Sequence, residues 1–447
     1  MEDLELVIRP EDYSLLTDLY QLTMTACYVG EKLDQQRASF ELSVRRLPKG
    51  FGYLIAMGLA QVLEYLEKFQ FSEAQISALQ TSGIFDHAPE QFWTLLKGSR
   101  FEGDVWAVPE GTAVFANEPL LRVEAPLWQA QIAETYLLNT INYQTLVATR
   151  AARMRDVAGE NATLLEFGTR RAFSPQGSVW AARAALAGGL DATSNVLAAL
   201  KLGRKPTGTM AHSLVMALNA LEGTESQAFT AFHHYFPGAP LLIDTYDTIA
   251  AAETLSKQLK AGEIQLAGVR IDSGDLLELS KKVRPLLPEV SIFASGDLDE
   301  YRIADLKAKG AQIDGYGLGT QLVTGAPVNG VYKLVEIDGI PVMKEATGKV
   351  TYPGRKQIFR QAGVSDRLGL MNEDANGEIP LLQLVFKQGQ RIAESETIAQ
   401  IRDRATKSVQ SLPEPARQLE NPIAFPVELS HALSELTDRT RQRRHLS

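Results

Sequence analysis

Histidine is rare in this chain, and one of its six copies, His212, stands in a stretch that could do chemistry. The stretch reads KPTGTMAHSLVMAL, and its turn residues Pro206 and Gly208 precede apolar residues at helical spacing. His212 is therefore predicted near the start of a helix, where backbone N–H groups favour a nearby anion. A neutral imidazole there could accept a phosphoryl group, and the alternative is a hydrogen-bonded histidine of the core.

Glycine stands where two later strands are predicted to end, in ASGD at 294–297 and GYGLGT at 315–320. Without a side chain, the backbone can approach a ligand closely and present its N–H groups to a phosphate. Thr320 adds a hydroxyl at the end of the second loop. These loops predict a phosphate site, and the alternative is tight turns that serve packing alone.

Charged and aromatic side chains follow two other predicted strands. In RIDSGD, the fork of Arg270 suits a carboxylate, and Asp272 could accept hydrogen bonds from ribose hydroxyls and stabilise a cationic sugar carbon. In LEFGTRR, Arg170 and Arg171 supply donors for a polyphosphate, and Phe167 offers an apolar face to an aromatic ring. The residue types indicate a ligand made of a ring, a sugar and phosphates.

Alternating strands and helices beyond residue 159 would position these side chains on strand-to-helix loops. The fold class is predicted as α/β, with an irregular TIM-like (β/α) barrel. An open doubly wound sheet is the alternative, but no GxGxxG follows a first strand, so a dinucleotide site has no support. The predicted strands are 163–169, 206–210, 240–246, 268–274, 291–297 and 315–320.

The remainder of the chain predicts three domains, with bounds at 1–127, 128–330 and 331–447. The first is an α/β domain that opens with a helix capped by Thr17, and the second is the barrel. The third contains strands, with a hairpin turn at Asp338 and Gly339, that are expected to rejoin the N-terminal sheet. Within the first domain, a strand is predicted at 38–50, helices at 52–98 and short antiparallel strands at 101–125. A long helical region is predicted from 128 to 158, and the tail from 413 onward is expected to be solvated or frayed.

Composition excludes several classes of protein. The 447 residues include 45% hydrophobic and 22% charged residues, with no apolar run near the ~18 to 20 residues of a membrane span. A net charge of -9 disfavours nucleic-acid or anionic-membrane binding as the main task. The acidic N-terminus lacks the pattern of a secretory signal, and the single cysteine, Cys27, allows no internal disulfide. The expected location is the cytoplasm.

Together these motifs resemble those of the nicotinate phosphoribosyltransferase family. In chain order they are TDLYQLTM, LEFGTRRA, GTMAHS, IDTYDT, GVRIDSGDL, ASGD, GYGLGT and, at 331–334, VYKL. The resemblance implies that nicotinate reacts with phosphoribosyl pyrophosphate to give nicotinate mononucleotide and pyrophosphate, a step of NAD salvage. It also implies Mg²⁺, ATP hydrolysis through a transient phosphohistidine, a ligase-type classification, an irregular α/β barrel and a head-to-tail homodimer with shared active sites.

The resemblance also implies roles for single residues. Tyr20 would reach from the partner subunit to one face of the nicotinate ring, with Phe167 on the other face. Arg270, helped by Thr209, would meet the nicotinate carboxylate. His212 would be the phosphohistidine, oriented by Asp244, and Asp272 would hold the ribose. The remaining substrate-binding residues would be Thr169, Arg170, Arg171, Ser273, Gly274, Gly296, Asp297, Gly317, Gly319 and Thr320; no metal ligand is assigned.

Three alternatives remain open at the level of the sequence. Nicotinamide could replace nicotinate as the acceptor, and Arg270 does not decide between them. Quinolinate would bring a second carboxylate and a decarboxylation without a phosphohistidine. A barrel that binds a nucleotide without catalysis is the alternative from another class. In the catalytic interpretation, a phosphate on His212 would order the loops that bind phosphoribosyl pyrophosphate.

Overall fold

A computed structural model describes residues 6–346 and 349–446 of the chain. The fold mixes helices and strands, and it divides into two compact units. Unit 1 combines residues 1–145, 327–397 and 410–447, and unit 2 combines residues 146–326 and 398–409. Each unit therefore contains segments that are distant in sequence.

The N-terminal part of the chain alternates short helices with antiparallel strands. After a 3₁₀ helix at Pro10–Leu15, its helices are α1 Leu19–Gly30, α2 Leu59–Glu67, α3 Glu73–Thr81, α4 Glu90–Leu96, α5 Leu127–Ile132 and α6 Glu134–Ala158. Its strands are β1 Arg37–Val44, β2 Leu54–Ile55, β3 Asp104–Ala107, β4 Ala113–Val114 and β5 Pro119–Pro126.

The middle part alternates strands and helices in the βα manner. The strands are β6 Thr163–Glu166, β7 Ala192–Thr193, β8 Leu241–Leu242, β9 Gly268–Ile271, β10 Ser291–Ala294 and β11 Gly315–Leu318. The helices are α7 Pro175–Ala187, α8 Val196–Lys201, α9 His212–Glu222, α10 Glu225–Tyr235, α11 Thr248–Ala261, α12 Leu276–Leu286, α13 Glu300–Ala308 and α14 Thr320–Val323.

The C-terminal part returns to strands before it ends in helices. Its strands are β12 Gly330–Ile337, β13 Ile340–Pro341, β14 Glu345–Ala346, β15 Lys349–Val350, β16 Lys356–Gln361, β17 Ser365–Leu370, β18 Ile379–Pro380, β19 Gln383–Lys387, β20 Gln390–Arg391 and β21 Val427–Leu429. Its helices are α15 Ile398–Gln410, α16 Glu414–Arg417 and α17 His431–Leu446.

Unit 1 is built on an antiparallel sheet of seven strands in the order β13-β12-β1-β5-β3-β19-β20. The central strand β1 pairs with β5 on one side and with β12 on the other, so C-terminal strands do join the N-terminal sheet. Phe40 and Leu42 of β1 are buried, and the Phe40 ring stacks on Tyr332 of β12 at 5.0 Å between centroids. These buried cross-strand contacts stabilise the pairing of β1 with its neighbours.

Unit 2 is built on a parallel sheet of six strands in the order β7-β6-β11-β10-β9-β8. The first strand of the unit, β6, lies beside the last one, β11. In the described residues the edge strands β7 and β8 do not pair with each other, so the hydrogen-bonded sheet is open at that point. Because all six strands are parallel, their carboxyl ends meet at one edge of the sheet.

The structure corrects the predicted strand at 206–210, which is a loop. Pro206 has no N–H to donate, and Thr207 N makes only one ladder-like bond, to Thr193 O at 2.9 Å. The strand beside β6 is instead the two-residue β7, which the sequence pattern did not predict. At 52–98, the prediction of helices alone was wrong for Leu54–Ile55, which pairs with β4.

The unit boundaries also differ from the predicted domain bounds. The first change of unit comes after Thr145, within α6, rather than before residue 128. The early part of α6 packs in unit 1, where Tyr136 stacks on Tyr65 at 4.3 Å and Thr145 Oγ1 accepts from Met57 N at 3.2 Å. Most of α15 belongs to unit 2, because Arg402 pairs with Asp191 at 2.7 Å.

The predicted cap of α1 was wrong, and the prediction for the C-terminal tail was wrong in part. The cap of α1 is Asp18 rather than Thr17, whose hydroxyl points to Ile132 O and Thr135 instead. The tail from 413 onward, predicted to be solvated or frayed, has exposed residues such as Arg439 but is not frayed, because it contains α17, in which Thr437 is buried and Arg441 pairs with Glu345 at 3.0 Å. Ser447 lies outside the described residues. No helix in the described ranges combines the length and apolarity needed to cross a bilayer.

Candidate active site

A pocket of about 530 Å³ opens at the carboxyl edge of the unit 2 sheet. It collects the ends of β6, β7 and β9 and the loop that leads into α9. Its lining residues are Phe167, Thr169, Arg170, Ser194, Val196, Pro206, Thr207, Gly208, Thr209, Met210, Ala211 and Arg270. Five of them, Phe167, Thr169, Arg170, Thr209 and Arg270, are residues that the sequence predicted for substrate binding.

The aromatic wall of the pocket is Phe167, the first residue after β6. Its backbone N donates to Leu318 O at 2.7 Å, which extends the pairing of β6 with β11 by one residue. Its ring lies over Gly317, where an added Cβ would come within 2.6 Å of the ring. Gly317 therefore leaves the space that the ring occupies.

Arg270 faces this ring from β9, with its Cζ 6.0 Å from the ring centroid. Its Nη1 donates to Asp272 Oδ1 at 3.0 Å and to Ser295 Oγ at 3.2 Å, and its Nη2 donates to Met210 O at 2.8 Å. Burial lowers the pKa of Arg270, and the nearby Asp272 and Asp244 carboxylates oppose that shift. The guanidinium is thus a cation held rigidly beside an aromatic face.

Two acidic side chains from neighbouring strands, Asp244 and Asp272, lie beside Arg270. Asp244 Oδ2 accepts from Asp272 N at 3.0 Å and from Ser273 Oγ at 2.5 Å. Asp244 Oδ1 is buried and has no hydrogen-bond partner in the described part of the chain. Gly296, with a φ of 96°, packs directly on the Asp272 carbonyl, because a Cβ there would lie 2.2 Å from that oxygen. A side chain at position 296 would push the two loops apart.

His212 is the first residue of α9, as the sequence predicted, and its cap residue is Ala211. Its Nδ1 lies 3.1 Å from Thr245 Oγ1. The expectation that Asp244 orients this imidazole does not match the contacts, because the Asp244 carboxylate bonds to Asp272 and Ser273. The two neighbouring side chains thus have different partners: Thr245 contacts the start of α9, while Asp244 contacts the loop after β9.

The remaining predicted residues do not line the pocket. Gly274 and Asp297 adopt positive φ angles of 79° and 49° in the loops after β9 and β10. Gly319 caps the short helix α14, of which Thr320 is the first residue. Arg171 follows Arg170 in the turn after β6, and its backbone N donates to Gly168 O at 2.8 Å.

Tyr20 belongs to α1 in unit 1, where 47% of its surface is exposed. Partial burial raises its pKa, and the charges of Glu134 and Asp18 add to that shift. Its expected role in a ring contact across a dimer therefore stays a prediction.

Sequence reasoning missed several residues that shape the site, namely Ser194, Val196, Thr207, Met210, Thr245, Ser295 and Glu166. Thr245 could have been found, because it follows a predicted strand in IDTYDT directly after Asp244. Ser194 could not, because the two-residue β7 leaves no alternating pattern. Among the described residues no group of three or more His, Cys, Asp or Glu side chains could hold a metal ion.

Family models of nicotinate phosphoribosyltransferase match three stretches of the chain. The N-terminal domain model matches residues 15–142, the family model residues 162–296, and the C-terminal domain model residues 370–437. The site residues Phe167, His212 and Arg270 fall within the second stretch.

Similar proteins cover nearly the whole chain. The nicotinate phosphoribosyltransferase pncB2 of Mycobacterium tuberculosis is 42% identical over 442 residues, which is 95% of this chain and 93% of that protein. The nicotinate phosphoribosyltransferase of Bacillus subtilis is 38% identical over 473 residues, covering 96% and 95% of the two chains. The crystal structure of human nicotinic acid phosphoribosyltransferase superposes with a TM-score of 0.81 at 32% identity, covering 95% of this chain and 99% of that one.

Sequence motifs, fold and pocket thus agree with the similarity over full length, and the chain belongs to the nicotinate phosphoribosyltransferase family of enzymes.

Proposed function

We propose that this enzyme transfers the 5-phosphoribosyl group of phosphoribosyl pyrophosphate to nicotinate, with ATP hydrolysis coupled through a phosphohistidine, as a step of NAD salvage. One observation carries the proposal: a single pocket holds an aromatic face, Phe167, beside a cation, Arg270. Nicotinate is a flat ring with one carboxylate, so it matches both features at once.

The ring would lie on Phe167 with its carboxylate toward Arg270 and the Thr209 hydroxyl. The guanidinium is already positioned by Met210 and Ser295, so little side-chain entropy is lost when the carboxylate binds. The ring nitrogen would then face the anomeric carbon of the sugar. Bond formation from its lone pair, as pyrophosphate leaves, requires no proton transfer, so positioning and charge stabilisation would supply most of the catalysis.

Asp272 would accept the ribose hydroxyls and stabilise the positive charge that develops on the sugar. Its carboxylate lies 3.0 Å from Arg270 Nη1, and both residues stand at the carboxyl end of β9, so they would reach the reaction centre together. The glycine-containing loops would bind the phosphates through backbone N–H groups. We assign Gly296, Asp297, Gly319 and Thr320 to the 5-phosphate, and Thr169, Arg170, Arg171, Ser273, Gly274 and Gly317 to the remaining substrate contacts.

His212 would attack the γ-phosphorus of ATP, ADP would leave, and water would later release inorganic phosphate from the imidazole. Thr245 replaces Asp244 in our proposal as the group that orients the ring, because it contacts Nδ1. If Nδ1–H donates to the Thr245 hydroxyl, the other ring nitrogen keeps its lone pair for the attack. The start of α9, an eleven-residue helix, would stabilise the attached phosphate.

Labelled ATP tests this step. The wild-type enzyme should trap an acid-labile, base-stable phosphate, and His212→Ala should trap none while it still binds nicotinate. Thr245→Val should lower the yield and Thr245→Ser should restore it, since serine keeps the hydroxyl. If ATP stimulated phosphoribosyl transfer by His212→Ala as fully as by the wild type, His212 would be a hydrogen-bonded structural residue instead.

Mg²⁺ is proposed as the cofactor. Mg²⁺ commonly binds to one or two carboxylates together with substrate phosphates, so a full protein cage is not required. Asp244 Oδ1, buried without a hydrogen-bond partner in the described residues, suits such a contact. When bound, the ion would neutralise charge on the pyrophosphate leaving group.

A head-to-tail homodimer with shared active sites is part of the proposal, since Tyr20 belongs to unit 1 and has 47% of its surface exposed. Mixing inactive Tyr20→Ala with inactive Asp272→Ala should restore some activity, because one hybrid site would contain both intact residues. Verified heterodimers that stay inactive would argue for a site made by one chain. We also propose a cytoplasmic location for the enzyme.

We also propose that unit 2 is an irregular TIM-like barrel opened between β7 and β8. Its spatial order β8-β9-β10-β11-β6-β7 is the chain order read cyclically, as in a barrel and unlike a doubly wound sheet.

The second candidate activity is transfer to nicotinamide. That acceptor would place a neutral amide, instead of a carboxylate, beside Arg270. Titrating the protein with nicotinate, nicotinamide and quinolinate, with and without ATP, distinguishes these acceptors, and no turnover with any of them would favour a nucleotide-binding module.

A further inference from the structure

Glu166 is a buried acid that the proposed reaction does not use. It is the last residue of β6, directly before Phe167, and its relative exposure is 1%. Within the described residues its carboxylate accepts from a backbone N–H and a hydroxyl rather than from a cation, which is unusual for a buried carboxylate. Burial raises its pKa, and hydrogen bonds from Thr193 and Gly168 oppose that shift. Such a costly group needs a structural explanation.

The two carboxyl oxygens of Glu166 contact different strands. Oε1 accepts from Gly168 N, in the turn that follows β6, and Oε2 accepts from the Thr193 hydroxyl at the end of β7. Gly168 has no space for a side chain, because a Cβ would lie 2.4 Å from Val323 Cγ1 and 2.9 Å from Glu166 Oε1. The turn is therefore closed tightly around the carboxylate.

The hydrogen-bonded chain continues from Thr193 into the next helix. Thr193 Oγ1 accepts from Asn195 N at 2.9 Å, and Asn195 Oδ1 accepts from Ala198 N at 3.0 Å, which caps α8. Asn195 Nδ2 donates to Ser178 Oγ of α7 at 3.2 Å. Every polar atom named in this hydrogen-bond network has a partner, so the network holds these residues in one arrangement.

This network connects two walls of the pocket. Phe167 and Thr169 follow β6 on one side, while Ser194 and Val196 follow β7 on the other. The β7 pairing itself spans only two residues, Leu165 with Ala192 and Glu166 with Thr193. Two ladder pairs alone define a strand position poorly, so a side-chain bond at the end of the ladder has a large effect on it.

We propose that Glu166 is a positioning residue for the acceptor ring: its carboxylate sets the distance between the Phe167 turn and the Thr193–Asn195 turn, and so the width of the ring pocket. The inference rests on the proposed function of that pocket. Glu166 touches no reacting atom, and it acts through the residues on either side of it.

Thr193 offers the sharper test, because it can be changed without removing a buried charge. Thr193→Val keeps the shape of the side chain and removes the hydroxyl, whereas Thr193→Ser keeps the hydroxyl. Glu166→Gln keeps one acceptor for Gly168 N but presents an amide N–H₂ to the Thr193 hydroxyl. A matched surface control is Glu289→Gln, because Glu289 is exposed and lies outside the pocket.

The dissociation constants of nicotinate and of phosphoribosyl pyrophosphate are measured separately by calorimetry, with melting temperatures to confirm folding. For Thr193→Val and Glu166→Gln we expect nicotinate binding to weaken by about 10- to 100-fold, the loss of one hydrogen bond to a charged group, and phosphoribosyl pyrophosphate binding to weaken much less. Thr193→Ser should bind nicotinate within about twofold of wild type, since RT ln 2 is small beside such a bond.

Equal weakening toward both substrates, or unchanged nicotinate binding in folded Thr193→Val, would overturn the proposal. Failure of Thr193→Ser to recover would also overturn it, because the hydroxyl would then not be the operative group. If the wild-type protein itself bound no nicotinate, the proposed function would fail instead, so the two failures are distinguishable.

Discussion

Replacing Gly317 with alanine should move the Phe167 ring without removing any polar group. The backbone of Gly317 lies in β11 and has no positive φ, so alanine is allowed there. Its Cβ would lie 2.6 Å from Cε2 and 2.7 Å from Cδ2 of the ring, whereas ordinary contacts begin at 3.4 Å. The ring must therefore retreat by 3.4 − 2.6, or about 0.8 Å.

A displacement of roughly 1 Å at a positioning contact costs on the order of 100-fold in rate, or about 2.7 kcal/mol of transition-state stabilisation. We expect kcat/KM for nicotinate to fall by about that factor, because the ring nitrogen would no longer align with the sugar carbon. Steady-state kinetics with each substrate varied in turn measures this. ATP hydrolysis in the absence of nicotinate should change little, since the His212 ring is held by Thr245.

Gly315 provides a control on the same strand. A Cβ there would lie 2.6 Å from the ring of Phe293, which does not line the pocket, and 2.8 Å from Thr163 O. Gly315→Ala should therefore lower the melting temperature without the nicotinate-specific loss. If Gly317→Ala kept wild-type kcat/KM for nicotinate while folded, the contact between ring and substrate would be refuted.

Three further outcomes follow from burial and charge. Arg270→Ala should reduce kcat/KM for nicotinate by about 100-fold more than it reduces ATP hydrolysis, and equal losses in both assays would show that Arg270 has another task. Arg153 and Glu300 form a buried pair at 2.9 Å, so Arg153→Ala should cost about 3 to 5 kcal/mol in urea unfolding, while replacing both by apolar residues should cost far less. Burial and the neighbouring Asp366 raise the pKa of Glu118 in the folded protein well above its usual value. Its contribution to stability is therefore present below the pKa that Glu118 has in the unfolded chain, and it is lost as the pH rises toward the pKa of the folded state. Urea unfolding between about pH 5 and 8 should therefore show a smaller decline for Glu118→Gln than for wild type, and parallel curves would contradict this assignment.

Strand-end chemistry could be predicted from the sequence because each motif directly follows an apolar strand. Phe167 and Arg270 follow or end such strands, and the structure brings them to one pocket. His212 begins a helix because the turn at 206–208 precedes an apolar helical pattern. Local pattern was sufficient in these cases, since parallel strands place their carboxyl ends at one edge.

Contacts between segments could not be predicted in the same way. The sequence assigned a strand to 206–210, but the strand beside β6 in the sheet is the two-residue β7 instead. Thr245 rather than Asp244 meets the imidazole, and which of two neighbours points to α9 depends on the packing of that helix. Glu166 carried no sequence signal, because an acid inside an apolar strand reads as a solvated residue until its partners are known.

The position of β12 has a consequence for synthesis of the chain on the ribosome. Strand β1 ends at Val44, but its neighbour β12 begins at Gly330, 286 residues later (330 − 44). At ~5–20 residues per second, one edge of β1 waits roughly 15 to 60 s for its partner after β1 itself has been made. Phe40 and Leu42 lie on that strand, so an apolar edge stays open while residues 146–326 of unit 2 are synthesised. A nascent chain stalled before residue 330 is therefore expected to bind chaperones through β1.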